Sequence, residues 1–173
     1  MDPHQPQPGG PAAGWQTPVE TVGPAPGIAF AGHGPRLIAY IVDGLILTIA
    51  LFVLIALPAM VGFVAFARGP GPGMGVIAVV VVLSLLAIVV SIAYFPFFWA
   101  RGGQTPGMKL FRLRVVRDRD GGPISGGQAV MRLVGYWINS AVLYIGFAWI
   151  LVDQRRRGWH DLIAGTVVIV DPR

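Results

Sequence analysis

The sequence contains no cysteine, which excludes disulfides, thiolate catalysis and cysteine-ligated zinc. Charge is scarce too: 12% of residues are Asp, Glu, Lys or Arg, against 54% hydrophobic. That balance suits a surface facing lipid rather than water. His4, His33 and His160 are scattered rather than set at metal-ligand spacing, and no metal or cofactor is expected. The glycine-rich stretch Gly102–Lys109 lacks the spacing of a phosphate-cradling loop and reads as a turn. No Ser or Cys nucleophile accompanies His160-Asp161, so the chain is read as a protein other than an enzyme. No short apolar run with a basic flank opens the chain, so the first apolar span is expected to serve as an uncleaved insertion signal.

What is present is apolar and long. Leu37–Leu57 holds one charge, Asp43, in 21 residues. At 1.5 Å per residue it covers about 31 Å, the thickness of a bilayer core. The apolar pattern continues past Pro58 through Ala67, so the helix is expected to run on, bent. Gly75–Ala100 carries no charge and ends in Tyr94, Phe95, Phe97, Phe98 and Trp99, rings that favour the headgroup level. These two spans predict a helical hairpin.

The stretch 101–132 is the basic loop. By the positive-inside rule it is cytoplasmic, and the N-terminus with it. The net charge of +5 sits beside apolar spans, so anionic headgroups of the bilayer are the expected partner and nucleic acid is not. Inside the loop, Leu110–Val116 alternates apolar and basic residues, a strand pattern, and Asp118–Pro123 reads as a turn. Thr166–Val170 is a second short strand, and the two are expected to pair.

That pairing bears on Leu133–Val152, a third apolar segment. A single crossing would place Thr166–Val170 and Arg155–Arg157 on the far side. A re-entrant or broken segment, with break points at Asn139-Ser140 and Gly146, returns the chain to its partner strand. The return is the preferred reading and the single crossing the alternative. The expected fold class is an all-α membrane protein, multi-pass in the plasma membrane. It has two transmembrane helices, a third apolar segment and a small two-stranded β element. Residues 1–35 hold eight of the fifteen prolines and read as a disordered tail, with 36–170 as the transmembrane domain.

A carboxylate at bilayer depth costs at least about 2.5–3.5 kcal/mol, so Asp43 is the first candidate functional residue. Arg36 lies two turns earlier on the same helix face, about 10.5 Å along the axis. Asp43 is therefore expected to take its partner from another segment, with Arg132 and His160-Asp161 as candidates. His160 with Asp161 is read either as part of a surface anchor with Arg155–Arg157 or as a relay to Asp43, the histidine titrating near neutral pH. Gly44 reads as a helix-packing contact. Thr48, Ser84, Ser91, Asn139 and Ser140 are the remaining polar groups in the spans. They are expected to satisfy local backbone, or to complete a cation site with Asp43.

Arg36-Leu-Ile-Ala-Tyr-Ile-Val-Asp43, Gly103-Gln-Thr-Pro-Gly-Met-Lys-Leu110 leading into Leu113–Val116, Arg132, and Trp159-His-Asp-Leu-Ile-Ala-Gly-Thr-Val-Val168 occur in that order. Together they resemble the RDD family of small membrane proteins over about Gly34–Val170. The resemblance implies that Arg36, Asp43 and Asp161 match the arginine and two aspartates for which the family is named. Met108 interrupts the usual Gly-Lys pair. The proline-rich tail is similar to that of some actinobacterial-type members. The resemblance implies transport of small ligands, for which the concrete expectation is monovalent cations exchanged for protons at Asp43. So small a chain has few helices to enclose a path, so a homo-oligomer or a membrane-protein partner is expected. The alternative is a membrane scaffold whose charges lock the fold and whose tail recruits partners.

Overall fold

The computed structural model describes residues 23–24, 27–69, 73–143 and 145–172. Most of the proline-rich stretch lies outside the described residues. Its end does not behave as a tail. Phe30 bridges Ile169, and helix α1 starts at His33, so order begins ahead of the expected boundary at Arg36.

The first apolar run is helical throughout, His33–Ala67. It comprises α1 (His33–Leu51), a π turn at Phe52–Ala56 and α2 (Leu57–Ala67). Pro58 lies inside this continuous run, at the start of α2, and the π turn directly before it accommodates the proline's missing N–H. Helix α3 spans Met74–Gly102 with Pro96 inside it. Both helical runs are long and apolar enough to cross a membrane. They approach closely at Gly62, where an added Cβ would lie 3.6 Å from Val76. Gly44, expected to play that part, faces no neighbour within 4 Å. Gly62 thus faces α3, and Gly44 faces open space.

The basic stretch 101–132 is more structured than a loop. Gly103 ends α3 in the left-handed conformation (φ 70°). Thr105 then caps the short helix α4 (Pro106–Leu110), its hydroxyl accepting from the Met108 N–H. A Ser/Thr cap followed by Pro at the first helical position is a helix start, so the turn expected at Gly102–Lys109 is a turn plus a capped helix. Strand β1 (Leu113–Arg117) follows, and Ser125 with Gln128 forms a capping box at the start of α5 (Gly126–Ala141). The third apolar segment thus begins at Gly126, and Arg132 lies well inside a helix rather than at its edge.

Helix α5 ends at Ala141, with Leu143 at φ 53°. The chain resumes in α6 (Ile145–Ala148) and a 3₁₀ turn at Trp149–Leu151, the pair bent by 112°. The break falls between the two expected points. Helix α7 (Trp159–Ala164) leads into β2 (Thr166–Val170). The strands pair antiparallel, Leu113 opposite Val170 and Arg117 opposite Thr166. The bent segment therefore leaves one strand and returns to the other, as the re-entrant reading required. Val170 N donates to Ala29 O and Ala31 N to Val168 O, so the chain ahead of α1 lies along the free edge of β2.

The buried core sits at the sheet end. Trp99, Met108, Leu113, Val115, Ala129 and Val168 pack there. The flanks of α2 and of the first half of α3 stay exposed. An apolar surface without a core behind it is what a lipid-facing hairpin requires.

Candidate functional site

Two of the buried carboxylates at the sheet end, Asp161 and Asp43, have different partners, and a third, Asp171, pairs with Arg114 of β1. Asp161 is wholly buried at the third position of α7. Its Oδ2 accepts from the Gly158 N–H at 3.1 Å, closing the helix start on itself. The same oxygen accepts from Arg36 Nη2 at 2.9 Å, and Oδ1 accepts from Arg132 Nη1. Arg132 Nη1 also reaches Thr166 Oγ1 at 2.8 Å, and Arg36 Nη1 donates to the Arg156 carbonyl. This clasp joins α1, α5, α7 and β2. The two guanidiniums hold the Asp161 carboxyl well below the usual carboxylate range, outweighing the opposing effect of burial.

His160 is packed between Tyr136 (centroids 4.4 Å) and Phe147 (4.9 Å). Burial pushes it down to about 3, so it is neutral near pH 7. The contradiction with a ring titrating near neutrality is physical: an aromatic pocket and two nearby guanidiniums disfavour a third positive charge. Asn139 Nδ2 lies 3.2 Å from Nδ1. With Nδ1 accepting, the ring proton is on Nε2, 3.4 Å from Asp161 Oδ2. The close seat needs Gly135, where a Cβ would fall 2.8 Å from that of His160. Gly146 gives similar room, a Cβ there lying 2.8 Å from the Asn139 amide carbon.

Asp43 is 1% exposed and takes no part in the clasp. Its Oδ1 accepts from Tyr94 Oη at 3.0 Å and from the Gly107 N–H at 2.8 Å. Its Oδ2 accepts from Thr105 Oγ1. A Cβ at Gly107 would come within 2.8 Å of the carboxylate, so only glycine lets the α4 backbone approach so closely. Among the described residues no cation lies within ion-pair distance of Asp43. The expected partners Arg132, His160 and Asp161 all sit in the other cluster, and no hydrogen bond carries the proposed relay from them to Asp43. Of the three name-giving residues, the fold brings Arg36 and Asp161 together and leaves Asp43 separate.

Tyr94, Thr105 and Gly107 were not singled out as partners in the sequence. The Thr105-Pro106 cap signal was legible. Tyr94 was visible only as one ring of a belt. The intramembrane polar groups satisfy nearby backbone where expected: Ser91 donates to Ala87 O and Ser140 to Trp137 O, each at 2.7 Å. None of them joins Asp43. Two of the three arginines at 155–157 are engaged with protein acids. Arg155 and Arg157 pair with Asp118, and Arg157 with Asp153.

Between the clusters lies a cavity of about 420 Å³. Asp43 and Thr105 line one part, Arg36, Arg132 and His160 another, and Tyr40, Phe95, Trp99, Tyr136 and Phe147 are among the aromatic wall. Both acids' environments thus open on one chamber, although Asp161 is itself behind its arginines.

A family model described as the RDD family matches residues 30–165. The chain is 32% identical over 148 residues to the uncharacterized protein YxaI of Bacillus subtilis (strain 168), covering 80% of this chain and 96% of the relative. It is 27% identical over 150 residues to the uncharacterized membrane protein YteJ of the same organism, 82% of this chain and 81% of the relative. A shorter match, 30% over 67 residues, covers 39% of this chain and 28% of a proline-rich antigen homolog of Mycobacterium tuberculosis. No solved structure matches.

Proposed function

The chain is a membrane protein of the RDD family, and on that premise we propose that it exchanges a small ligand across the plasma membrane at Asp43. The observation that carries this reading is the contrast in partners. Asp161 is neutralised by two guanidiniums, whereas Asp43 is held by neutral donors and borders the cavity. Asp43 carries no fixed counter-charge, so a cation entering the cavity can pair with it, whereas Asp161 is already doubly ion-paired. Coupling follows from competition: the carboxylate cannot hold a proton and a second cation together. The sheet end, with its arginines, faces the cytoplasm in this reading, and the N-terminus with it. Two spans and a bent segment enclose little on their own, so the working unit is a homo-oligomer or a complex with another membrane protein. Catalysis is not assigned.

Proteoliposomes containing the full chain and a trapped pH dye test this. Imposed Na⁺, K⁺ or Li⁺ gradients should drive proton movement that Asp43→Asn abolishes. Wild-type vesicles with unchanged internal pH under all three gradients exclude cation–proton exchange. Flux surviving in Asp43→Asn relocates the site.

A second reading draws on the clasp. Arg36, Arg132 and Asp161 tie four elements together without exposing a reactive group. That suits a scaffold whose charges lock the fold and whose proline-rich segment recruits partners. Crosslinking with and without residues 1–27 separates the two: identical partners in both remove the recruiting role.

A further inference from the structure

The cavity carries more donors than the clasp and Asp43 use. Arg132 Nε and Trp99 Nε1 are buried with no acceptor among the described residues. Both residues line the cavity, and the Arg132 guanidinium stacks over the Trp99 ring, its central carbon 4.8 Å from the centroid. A buried N–H without an acceptor is costly, and an oxygen ligand is one way to relieve it.

The charge count of the clasp allows an anion. Arg36 and Arg132 share one carboxylate, Asp161, which leaves the clasp one positive charge in excess, while Asp43 lines another part of the same chamber. The volume, about 420 Å³, lies at the lower end of the usual range for ligand sites, suiting one acyl chain rather than two. The way in is apolar. Leu37 and Leu151 line the cavity and are 60% and 71% exposed; Leu37 lies in a helical run long and apolar enough to cross a membrane and Leu151 in the bent apolar pair. A ligand enters there from lipid.

We propose that this cavity binds a single-chain amphiphile with a carboxylate head, a long-chain fatty acid, its head accepting from Arg132 Nε and Trp99 Nε1 at the edge of their stack and its tail toward Leu37 and Leu151. The planar carboxylate matches the guanidinium's fork. The site needs no movement of the ligand across the membrane, so it stands whether or not Asp43 exchanges protons.

The test uses the full chain in nanodiscs of zwitterionic lipid, with a bromine-tagged fatty acid, the matching bromine-tagged alcohol and a single-chain phospholipid. Binding is read as tryptophan quenching and as a rise in unfolding temperature. The fatty acid should quench saturably and raise the unfolding temperature, with the alcohol about tenfold weaker. Trp99→Phe, which keeps the ring and loses the N–H, should weaken the stabilising effect of the fatty acid about tenfold. Ala148→Trp, narrowing the cavity away from the clasp, should abolish it. Equal, non-saturating quenching by acid and alcohol means simple partitioning and overturns the proposal. So does an unchanged affinity in both variants. Tighter binding of the single-chain phospholipid replaces the carboxylate by a phosphate head and overturns the assignment of ligand.

Discussion

Asp161 and Asp43 are both aspartates, both buried, and both border the same end of the molecule, yet their surroundings differ in kind. Around Asp161 the protein supplies formal positive charge: Arg36 and Arg132, with the Gly158 N–H behind. Around Asp43 it supplies only dipoles: a phenol, a hydroxyl and one backbone N–H. A buried ion pair of this sort is hard to disturb, because removing either side strands the other. A carboxylate held by neutral donors is satisfied as a hydrogen-bond acceptor but not as a charge. Burial alone does not distinguish the two acids; the sign and number of their partners do.

The largest expected effect comes from removing the charge of the paired acid. Asp161→Asn leaves two buried guanidiniums uncompensated and should destabilise the fold by about 3–5 kcal/mol, read from denaturant unfolding in detergent. Arg132→Met in the same background should recover part of that loss, since it removes one stranded charge. A loss below that seen for Asp43→Asn would break the comparison.

Asp43→Asn comes next. An amide replaces one acceptor oxygen by a donor, facing groups that themselves donate, at about 1–3 kcal/mol. The protein should still fold and insert. Circular dichroism and size exclusion in detergent check this, and an aggregated variant would make Asp43 as structural as Asp161.

Acid separates the clusters further. His160 falls from an ordinary 6.5 to about 3 on folding, so between those values the unfolded chain binds a proton that the folded one refuses. Stability is full above about pH 6.5 and declines as pH falls, by about 2 kcal/mol at pH 5. Asp161 shifts downward, so its stabilisation persists above the usual carboxylate range and is lost only on acidification through its lower folded value. Between about pH 6.5 and 5 the slope therefore comes chiefly from His160, and His160→Gln should flatten it there; at lower pH Asp161 and Asp153 add to it.

Tyr94→Phe should have the smallest effect, about 1 kcal/mol. It removes one of three donors to Asp43 and leaves the clasp untouched. A pH-dependent flux altered in this variant, at unchanged stability, would mark Tyr94 as tuning the proposed exchange at Asp43.

Much of this architecture was legible in the residues. The apolar lengths of 37–57 and 75–100, the alternation at 110–116 and the β-branched run at 166–170 are local properties, and local sums of hydropathy and side-chain period decide them. The return of the third segment followed from requiring two strands to meet. The capped helix α4 was readable at Thr105-Pro106 and was passed over, because glycines on both sides spoke for a turn.

The pairing of the acids could not be read this way. Arg36 meets Asp161 across 125 positions and Asp43 meets Thr105 across 62. Composition and spacing determined that this protein lies in a membrane, how many apolar segments it has, and which few charges enter them. Only the tertiary structure decided which charge is neutralised and which is left to dipoles. A charge in a low-dielectric interior is governed by whatever stands within a few ångströms of it, and in a folded chain those neighbours come from anywhere along the sequence.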